Sequence, residues 1–214
     1  MVQMSRLTTI ERLIREDKYI EAFKECSLQF SETPKDQMLL EVTMFLFARI
    51  QQGNYDFQPQ TAEEFLLRGQ ACFYHSKLND SIEDCNHAFK LDSKLHYALK
   101  VKAFSLRFLG KLEESIAVLE QAIAIHPVGE YFDDIAEVLS MMGKLQEAIP
   151  YHKKAVEHSP LDARLWYNYG VHAGNMENNQ LALDMMNKAL SIWPEYPDAL
   201  YNKPIYEHRL KTNK

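Results

Sequence analysis

Apolar residues recur at intervals of three and four along most of this chain, which is the period of an α-helix with one buried side. Between residues 129 and 158 they include Phe132, Ile135, Leu139, Leu145 and Ile149. Short turns carrying a Gly-Lys or Ser-Lys pair interrupt the pattern, and prolines follow several of the helical stretches. Because proline cannot continue a helix, the pattern predicts pairs of antiparallel helices joined by tight turns.

The helix pairs repeat with an almost constant length. Two columns of small residues keep one register through four copies, with spacings of 34, 33 and 34 residues in each column. The first column is Ser81, Ser115, Ala148 and Ala182, and the second is Ala88, Ala122, Ala155 and Ala189. Two independent columns that stay in step four times indicate an internal repeat.

The repeat resembles the tetratricopeptide repeat, whose consensus order is Trp, Leu, Gly, Tyr, Ala, Phe, Ala and Pro over about 34 residues. The copy nearest to that order contains Trp166, Tyr169, Gly170, Ala173, Ala182, Met186, Ala189 and Pro194. The resemblance implies an all-α fold, a right-handed α-solenoid of helix-turn-helix hairpins. It implies four units, at about 62–95, 96–128, 129–162 and 163–196.

The same resemblance assigns structural packing roles. Gly170 and Ala182 are expected to be small because the two helices of one hairpin cross closely there, with the rings of Trp166 and Tyr169 filling the space on either side. A cofactor site is the alternative interpretation of these rings. The implied packing residues are Gly69, Ala88, Ala122, Ala148, Ala155, Trp166, Tyr169, Gly170, Ala182, Ala189 and Pro194.

The two ends of the chain depart from the repeat. Residues 1–61 are expected to form a degenerate repeat or helical region, in which 36–52 is a strongly apolar helix and 53–60 a loop. Such a helix must be buried from more than one side, either between hairpins of this chain or against a second copy or a partner. Residues 197–214 are expected to form a C-terminal capping helix and tail, with Leu200, Tyr201 and Ile205 covering the last core face and Pro204 kinking or shortening the helix.

Composition limits the classes of partner, the compartment and the cysteine chemistry that we expect. The chain is 46% hydrophobic and 25% charged, as an ordered protein is, and carries a formal charge of −6 without a strong basic cluster, so nucleic acid is not an expected partner. Neither a signal peptide nor an apolar run long enough for a bilayer is recognisable, which leads us to expect a cytoplasmic protein without membrane insertion. Three cysteines without CxxC spacing fit free thiols better than a disulfide framework.

The chemistry of an enzyme is not indicated. The sequence lacks the G-x-x-x-x-G-K, G-x-G-x-x-G and H-E-x-x-H motifs, and no pair of carboxylates is singled out by its spacing. His152 falls on a packing column, which favours an interior ring over a metal ligand. Cys72 and Cys85 fall on packing columns of one hairpin, where a regulatory disulfide is the alternative to two buried thiols. We therefore expect no catalytic residue, no metal and no cofactor.

In this family the first helices of successive hairpins line a concave groove, which typically holds an extended peptide or a partner helix. The residues implied for this groove are Leu66, Leu67, Gln70, Phe73, Tyr74, Tyr97, Lys100, Val101, Phe104, Phe108, Glu130, Asp133, Asp134, Glu137, Arg164, Tyr167, Asn168, Val171, Tyr201, Asn202 and Ile205. The early part is rich in aromatics, and the stretch EYFDDIAE supplies four acids and no base.

A wall of one charge favours the opposite charge in its ligand, so the expected ligand is an extended or helical protein segment with apolar anchors and some positive charge. Alternatively, the acids form a solvated face and some of the aromatics pack against their neighbours. The groove does not match the clamp of cochaperones that bind acidic tails, because Phe104 and Asp134 stand where that clamp has asparagines beside Lys100.

These expectations together favour a non-enzymatic adaptor or scaffold that binds another protein. A chaperone of secreted proteins is one alternative, since the architecture is similar to that of the translocator-binding chaperones of type III secretion. Another is a self-assembling structural subunit, for instance a homodimer that forms through the N-terminal region with the apolar helix 36–52 as the contact. A third, an enzyme or its regulatory domain, has no motif to support it.

Overall fold

The computed structural model describes residues 12–13, 22 and 59–212, and the predictions for residues 36–52 and for the degenerate N-terminal repeat lie outside this part. Within 59–212 the chain forms helices and no strand. The helices are α1 (Ala62–Tyr74), α2 (Leu78–Leu91), α3 (His96–Phe108), α4 (Leu112–Ile125), α5 (Gly129–Met141), α6 (Leu145–His158), α7 (Ala163–Asn175), α8 (Asn179–Ile192) and α9 (Pro197–Thr212). None of these described helices combines the length and the apolar character that crossing a membrane requires.

The chain divides into two compact units between residues 92 and 93. In the first unit, α1 and α2 pack as one antiparallel hairpin. In the second unit, α3 pairs with α4, α5 with α6 and α7 with α8, and each hairpin packs on the next through the contacts of α4 with α5 and of α6 with α7. The last helix, α9, packs on α8 and α7. The expected all-α solenoid of tetratricopeptide hairpins is therefore confirmed, and the boundaries given above for its four units remain a prediction.

Small side chains lie where the two helices of each hairpin cross. Ala88, Ala122, Ala155 and Ala189 are each fully buried. A Cβ atom on Gly170 would lie 2.8 Å from the terminal methyl of Met186 and 3.1 Å from a backbone carbonyl of α8. Ser81, Ser115, Ala148 and Ala182 of the first column are buried as well, so small residues occupy positions where larger side chains would push the helices apart.

The aromatic rings of α7 pack around this crossing. Trp166 is half-buried, packs against the core that includes Ala163 and Met186, and donates from its indole nitrogen to the carbonyl of Pro160 at 2.9 Å. The ring of Tyr169 stacks on that of His152, with 5.7 Å between centroids. Both rings are half-buried and pack against neighbouring side chains, which agrees with the packing interpretation of the sequence WYNYG.

The turn inside each hairpin requires one residue in the left-handed region. Gly110 and Gly143 take it at φ of 76° and 75°, and Ser76 and Glu177 take it at 59° and 61°. In all four turns the amide of the following residue donates to a carbonyl five residues earlier, at 2.8 to 3.0 Å, which is the hydrogen bond of a Schellman cap. A side chain with a Cβ atom is strained in this conformation and glycine is not.

Changing Glu177 to glycine should therefore raise the free energy of unfolding by about 1 kcal/mol, because it removes the strain at a left-handed position. Urea unfolding followed by circular dichroism measures the change. A matched control is Glu120→Gly, at an exposed site inside α4, which should lower the stability by about 1 kcal/mol since glycine is a poor helix former. Equal losses in the two variants would contradict the assigned role of this turn.

The C-terminal helix bears on two expectations. Pro204 lies inside α9, which continues to Thr212 and is not shortened, while the alternative of a kink at Pro204 stays a prediction. The expected covering residues Leu200, Tyr201 and Ile205 are 50%, 76% and 38% exposed. Ala199 and Tyr206 are buried instead, and the ring of Tyr206 occupies the space beside Gly174, where a Cβ atom would meet it at 2.3 to 2.6 Å. The prediction from the sequence chose the wrong face of α9 as the buried one, because this helix carries apolar residues on two of its sides.

Candidate partner-binding surface

The first helices of the second unit, α3, α5, α7 and α9, carry the implied groove residues from Tyr97 to Ile205. We call these residues the first-helix surface. Polar side chains connect each of the four helices to the next, and these connections decide which groups remain available to a partner.

Two ion pairs connect α3 to α5. The ammonium group of Lys100 pairs with the carboxylate of Glu130, and the guanidinium of Arg107 pairs with that of Glu137. Lys100 is 7% exposed and its ammonium also lies 5.2 Å from the centroid of the Phe104 ring. The guanidinium of Arg107 lies 4.9 Å from the same centroid, so two cations that are bound to α5 flank this ring.

Side-chain hydrogen bonds connect α5 to α7 and α7 to α9. Asn168 Nδ2 of α7 donates to Asp133 Oδ2 of α5 at 2.7 Å, and Asn202 Nδ2 of α9 donates to the hydroxyl of Tyr167 at 2.8 Å. The other carboxylate oxygen of Asp133 is hydrogen-bonded to Nδ1 of His152 at 3.0 Å. Asp133 is 6% exposed, so its charge is held inside the protein and not presented to solvent.

These contacts correct the expectation of an acidic wall without a base. Glu130 and Glu137 are neutralised by cations from the preceding repeat, and Asp133 is buried in a hydrogen-bonded network. Lys100 and Val101, expected to face a ligand, are 7% and 6% exposed. The sequence misled here because the bases lie 30 residues before their acids, and no pattern within a single helix reveals that pairing.

Asp134 is the acid of this stretch that differs from the others. It is 9% exposed, and its Oδ2 atom is buried without a hydrogen-bond partner among the described residues. Burial raises the pKa of its carboxyl group to about 7, helped by the charges of Glu130, Asp133 and Glu137 and opposed by Lys100. Small changes of pH around 7 therefore shift this carboxyl group between its protonated and its ionised form.

Apolar side chains remain exposed at one end of the first-helix surface. Tyr97 is 40% exposed, Phe108 is 65% exposed, and Met141 at the end of α5 is 59% exposed, while Phe104 between them is half-buried. We call these four residues the apolar patch. The sequence reasoning missed Met141, although the repeat itself indicates it, since Tyr74, Phe108 and Met141 occupy one column with spacings of 34 and 33.

The implied residues on α7 and α9 are occupied differently. Arg164 is exposed and forms its ion pair within the same turn, with 2.7 Å between its guanidinium and a carboxylate oxygen of Asp162. Val171 is half-buried, and Tyr201 and Ile205 are exposed on α9. This end of the surface thus offers apolar contacts and one cation that is already compensated.

In the first unit the implied residues lie on α1. Leu67 is buried, three others are half-buried and Tyr74 is 61% exposed; the half-buried residues are Leu66, Gln70 and Phe73. The guanidinium of Arg68 donates two hydrogen bonds to the carboxylate of Asp84, at 2.7 and 2.8 Å, which fastens α1 to α2. The role of the α1 residues in binding a partner stays a prediction.

The cysteines and histidines form no site among the described residues. Cys72 and Cys85 are both buried, and burial raises the pKa of the Cys72 thiol. His152 is an interior ring that lies 4.7 Å from the ring of His172, whose pKa is lowered by burial. Within the part of the chain that the structure describes, no group of three histidine, cysteine or acidic side chains is arranged to hold a metal ion.

Comparisons with known proteins agree with this geometry. The sequence profile of the tetratricopeptide repeat matches residues 101–128. The human protein O-mannosyl-transferase TMTC3 is 33% identical over 97 residues, which are 44% of this chain, and the match spans only 11% of the length of that relative. Its activity therefore says little about this chain.

Two solved structures show the same fold. TTC0263, a tetratricopeptide repeat protein of Thermus thermophilus, superposes with a TM-score of 0.60 at 16% identity, over 97% of this chain and 98% of that one. YrrB, described as a tetratricopeptide repeat protein with an unusual peptide-binding site, gives a TM-score of 0.54 at 19% identity, over 77% of this chain and 84% of that one. At these identities the likeness concerns the fold alone.

Proposed function

Because this chain is a tetratricopeptide repeat protein, we propose that it is a non-enzymatic adaptor and that it binds a segment of a partner protein on the first-helix surface of its second unit. The fold itself is that of a protein-interaction scaffold. YrrB shows by its description that the same fold can carry a peptide-binding site. The segment is extended or helical and is held by apolar side chains.

The observation that carries this proposal is the apolar patch of Tyr97, Phe104, Phe108 and Met141. Exposed aromatic side chains supply large contact areas at a low cost in conformational entropy, and such residues dominate the binding energy of protein interfaces. The ion pairs of Lys100 and Arg107 hold the helices on which the patch stands. A surface ordered before its ligand arrives loses less entropy on binding.

The patch can be tested with peptides. A library of random 12-residue peptides displayed on phage is selected on the full chain, and the affinities of the recovered peptides are measured by fluorescence anisotropy. Phe108→Ala combined with Met141→Ala should weaken them about tenfold or more, because each anchor at an interface is worth roughly 1 kcal/mol or more. Both side chains are mostly exposed, so helicity and melting temperature should remain those of the parent protein.

The matched control is Ile125→Ala combined with Leu161→Ala, which removes two exposed apolar side chains of the same unit that lie outside the first-helix surface. Its affinities should equal those of the parent. Peptides that bind the Phe108→Ala, Met141→Ala variant as tightly as the parent would place the binding surface elsewhere and contradict the proposal.

A further inference from the structure

We propose that Asp134 is the point at which the first-helix surface takes a positively charged side chain of its partner, a lysine or an arginine, and that binding is consequently tighter at pH 8 than at pH 6. This inference rests on the proposed function, since it names the charge chemistry of the same surface. The occupant is a segment in which one basic side chain reaches Asp134 and apolar side chains contact the apolar patch.

The other acids of this stretch already have partners. Glu130 and Glu137 form ion pairs with Lys100 and Arg107, and Asp133 accepts from Asn168 while it is hydrogen-bonded to His152. Asp134 has a buried carboxylate oxygen with no such partner among the described residues. A buried polar atom without a hydrogen bond costs free energy, and a donor from a ligand recovers it.

The charges around Asp134 favour a cation. Acids outnumber bases, because Glu130 and Glu137 are paired with Lys100 and Arg107, whereas the carboxylate of Asp133, hydrogen-bonded to Asn168 and His152, pairs with neither of these cations. A guest ammonium or guanidinium group would be attracted by this surplus of negative charge. In a partly buried site such attraction is much stronger than in water.

Charged groups on the neighbouring helices leave this balance unchanged. Helix α6 contributes His152, which is bonded to Asp133, and α7 contributes Arg164, which is paired with Asp162 in its own turn. The acids of α4 that carry charge are exposed to solvent: Glu113, Glu114 and Glu120. Among the other cations of α3, Arg107 is held by Glu137. Asp134 differs from these groups in having a buried oxygen without a hydrogen-bond partner among the described residues, so its ionisation adds to the negative charge that a guest cation meets.

The protonation state of Asp134 then controls the affinity. Its pKa lies at about 7, so roughly a tenth of the molecules are ionised at pH 6 and roughly nine-tenths at pH 8. A ligand cation binds the ionised form, and the apparent dissociation constant scales inversely with the competent fraction. Lysine and arginine stay protonated over this range. Affinity should therefore rise about tenfold from pH 6 to pH 8, with release of a proton from Asp134.

The experiment uses a defined probe. A phage library of 12-residue peptides with one fixed lysine and no histidine is selected on the full chain at pH 8. The best peptide and its norleucine counterpart, which lacks the charge, are titrated calorimetrically at pH 6, 7 and 8. The wild type should bind the lysine peptide about tenfold more weakly at pH 6 than at pH 8, and the norleucine peptide equally at both.

Two variants complete the test. Asp134→Asn should bind the lysine peptide more weakly than the wild type at pH 8 and with the same affinity at all three pH values, because an amide does not ionise. Glu120→Gln removes one negative charge from an exposed site on α4 and should keep the pH dependence of the wild type. The norleucine comparison is made on the wild-type protein and needs no variant.

The failures of the two proposals are distinguishable. A pH dependence that persists in Asp134→Asn, or that is equal for both peptides, would overturn the role of Asp134 while peptide binding stands. A library from which no peptide binds the wild type at pH 8 would overturn the proposed function and the inference together.

Discussion

Changing Gly129 to alanine should lower the free energy of unfolding by about 3 kcal/mol, and the melting temperature by roughly 10 °C. Gly129 is the first residue of α5 and is buried against the end of α6. A Cβ atom there would lie 2.3 Å from the carbonyl oxygen of Ala155, 2.7 Å from a methyl of Leu165 and 2.8 Å from Cβ of Ser159. Backbone atoms cannot turn aside as a flexible side chain can, so the helices must separate.

A suitable comparison is Gly170→Ala. The nearest atom to the new Cβ would be the terminal methyl of Met186 at 2.8 Å, and the nearest backbone atom would lie at 3.1 Å. Because a methionine side chain adjusts easily, the loss should be clearly smaller than for Gly129. Thermal unfolding of both variants, followed by circular dichroism, would contradict this account if Gly129→Ala were the milder substitution.

Between pH 4 and pH 8, the free energy of unfolding of the Asp134→Asn variant should rise by about 4 kcal/mol relative to that of the wild type. In the unfolded chain an aspartate ionises near pH 3.9, whereas in the folded protein the pKa of Asp134 is about 7. The unfolded state thus loses its proton first as the pH rises. The stability that the protonated carboxyl group contributes is complete below about pH 4 and is lost as the pH passes 7.

The size of this effect follows from the shift of the pKa. A rise of roughly three units corresponds to about 4 kcal/mol, since one unit is worth about 1.4 kcal/mol. Asparagine has nearly the same shape and does not ionise, so the difference between variant and wild type isolates this group. Urea unfolding of both proteins at pH 4 and pH 8 measures it without a ligand. A difference that does not change with pH would show that Asp134 ionises as it does in the unfolded chain.

The helical hairpins were predictable from the sequence, because they depend on residues that are close together in the chain. The columns of small residues, the turns at Gly110 and Gly143 and the helices on either side follow from a periodicity that each repeat shows again. The apolar helix expected over 36–52 lies outside the described residues, so it remains a prediction.

The surface was less predictable than the fold. The four acids from Glu130 to Glu137 looked like an unopposed negative wall, yet their partners Lys100 and Arg107 stand one repeat earlier and meet them only when the hairpins stack. The buried state of Asp134 depends on that stacking as well. The sequence of one helix shows which residues share a face, but it does not show what the adjoining helix brings to that face.

The ion pairs and hydrogen bonds between successive first helices also make the stability of the array depend on the order of the repeats. If the hairpin α5–α6 were removed with the register kept, the position of Glu130 would be taken by Arg164 and that of Glu137 by Val171, since each pair is separated by 34 residues. Lys100 would then meet a like charge and Arg107 an aliphatic side chain. Although the hairpins have similar backbones, each carries side chains that are complementary in charge to those of its native neighbour. A chain with its hairpins in another order would lose these ion pairs at the new junction.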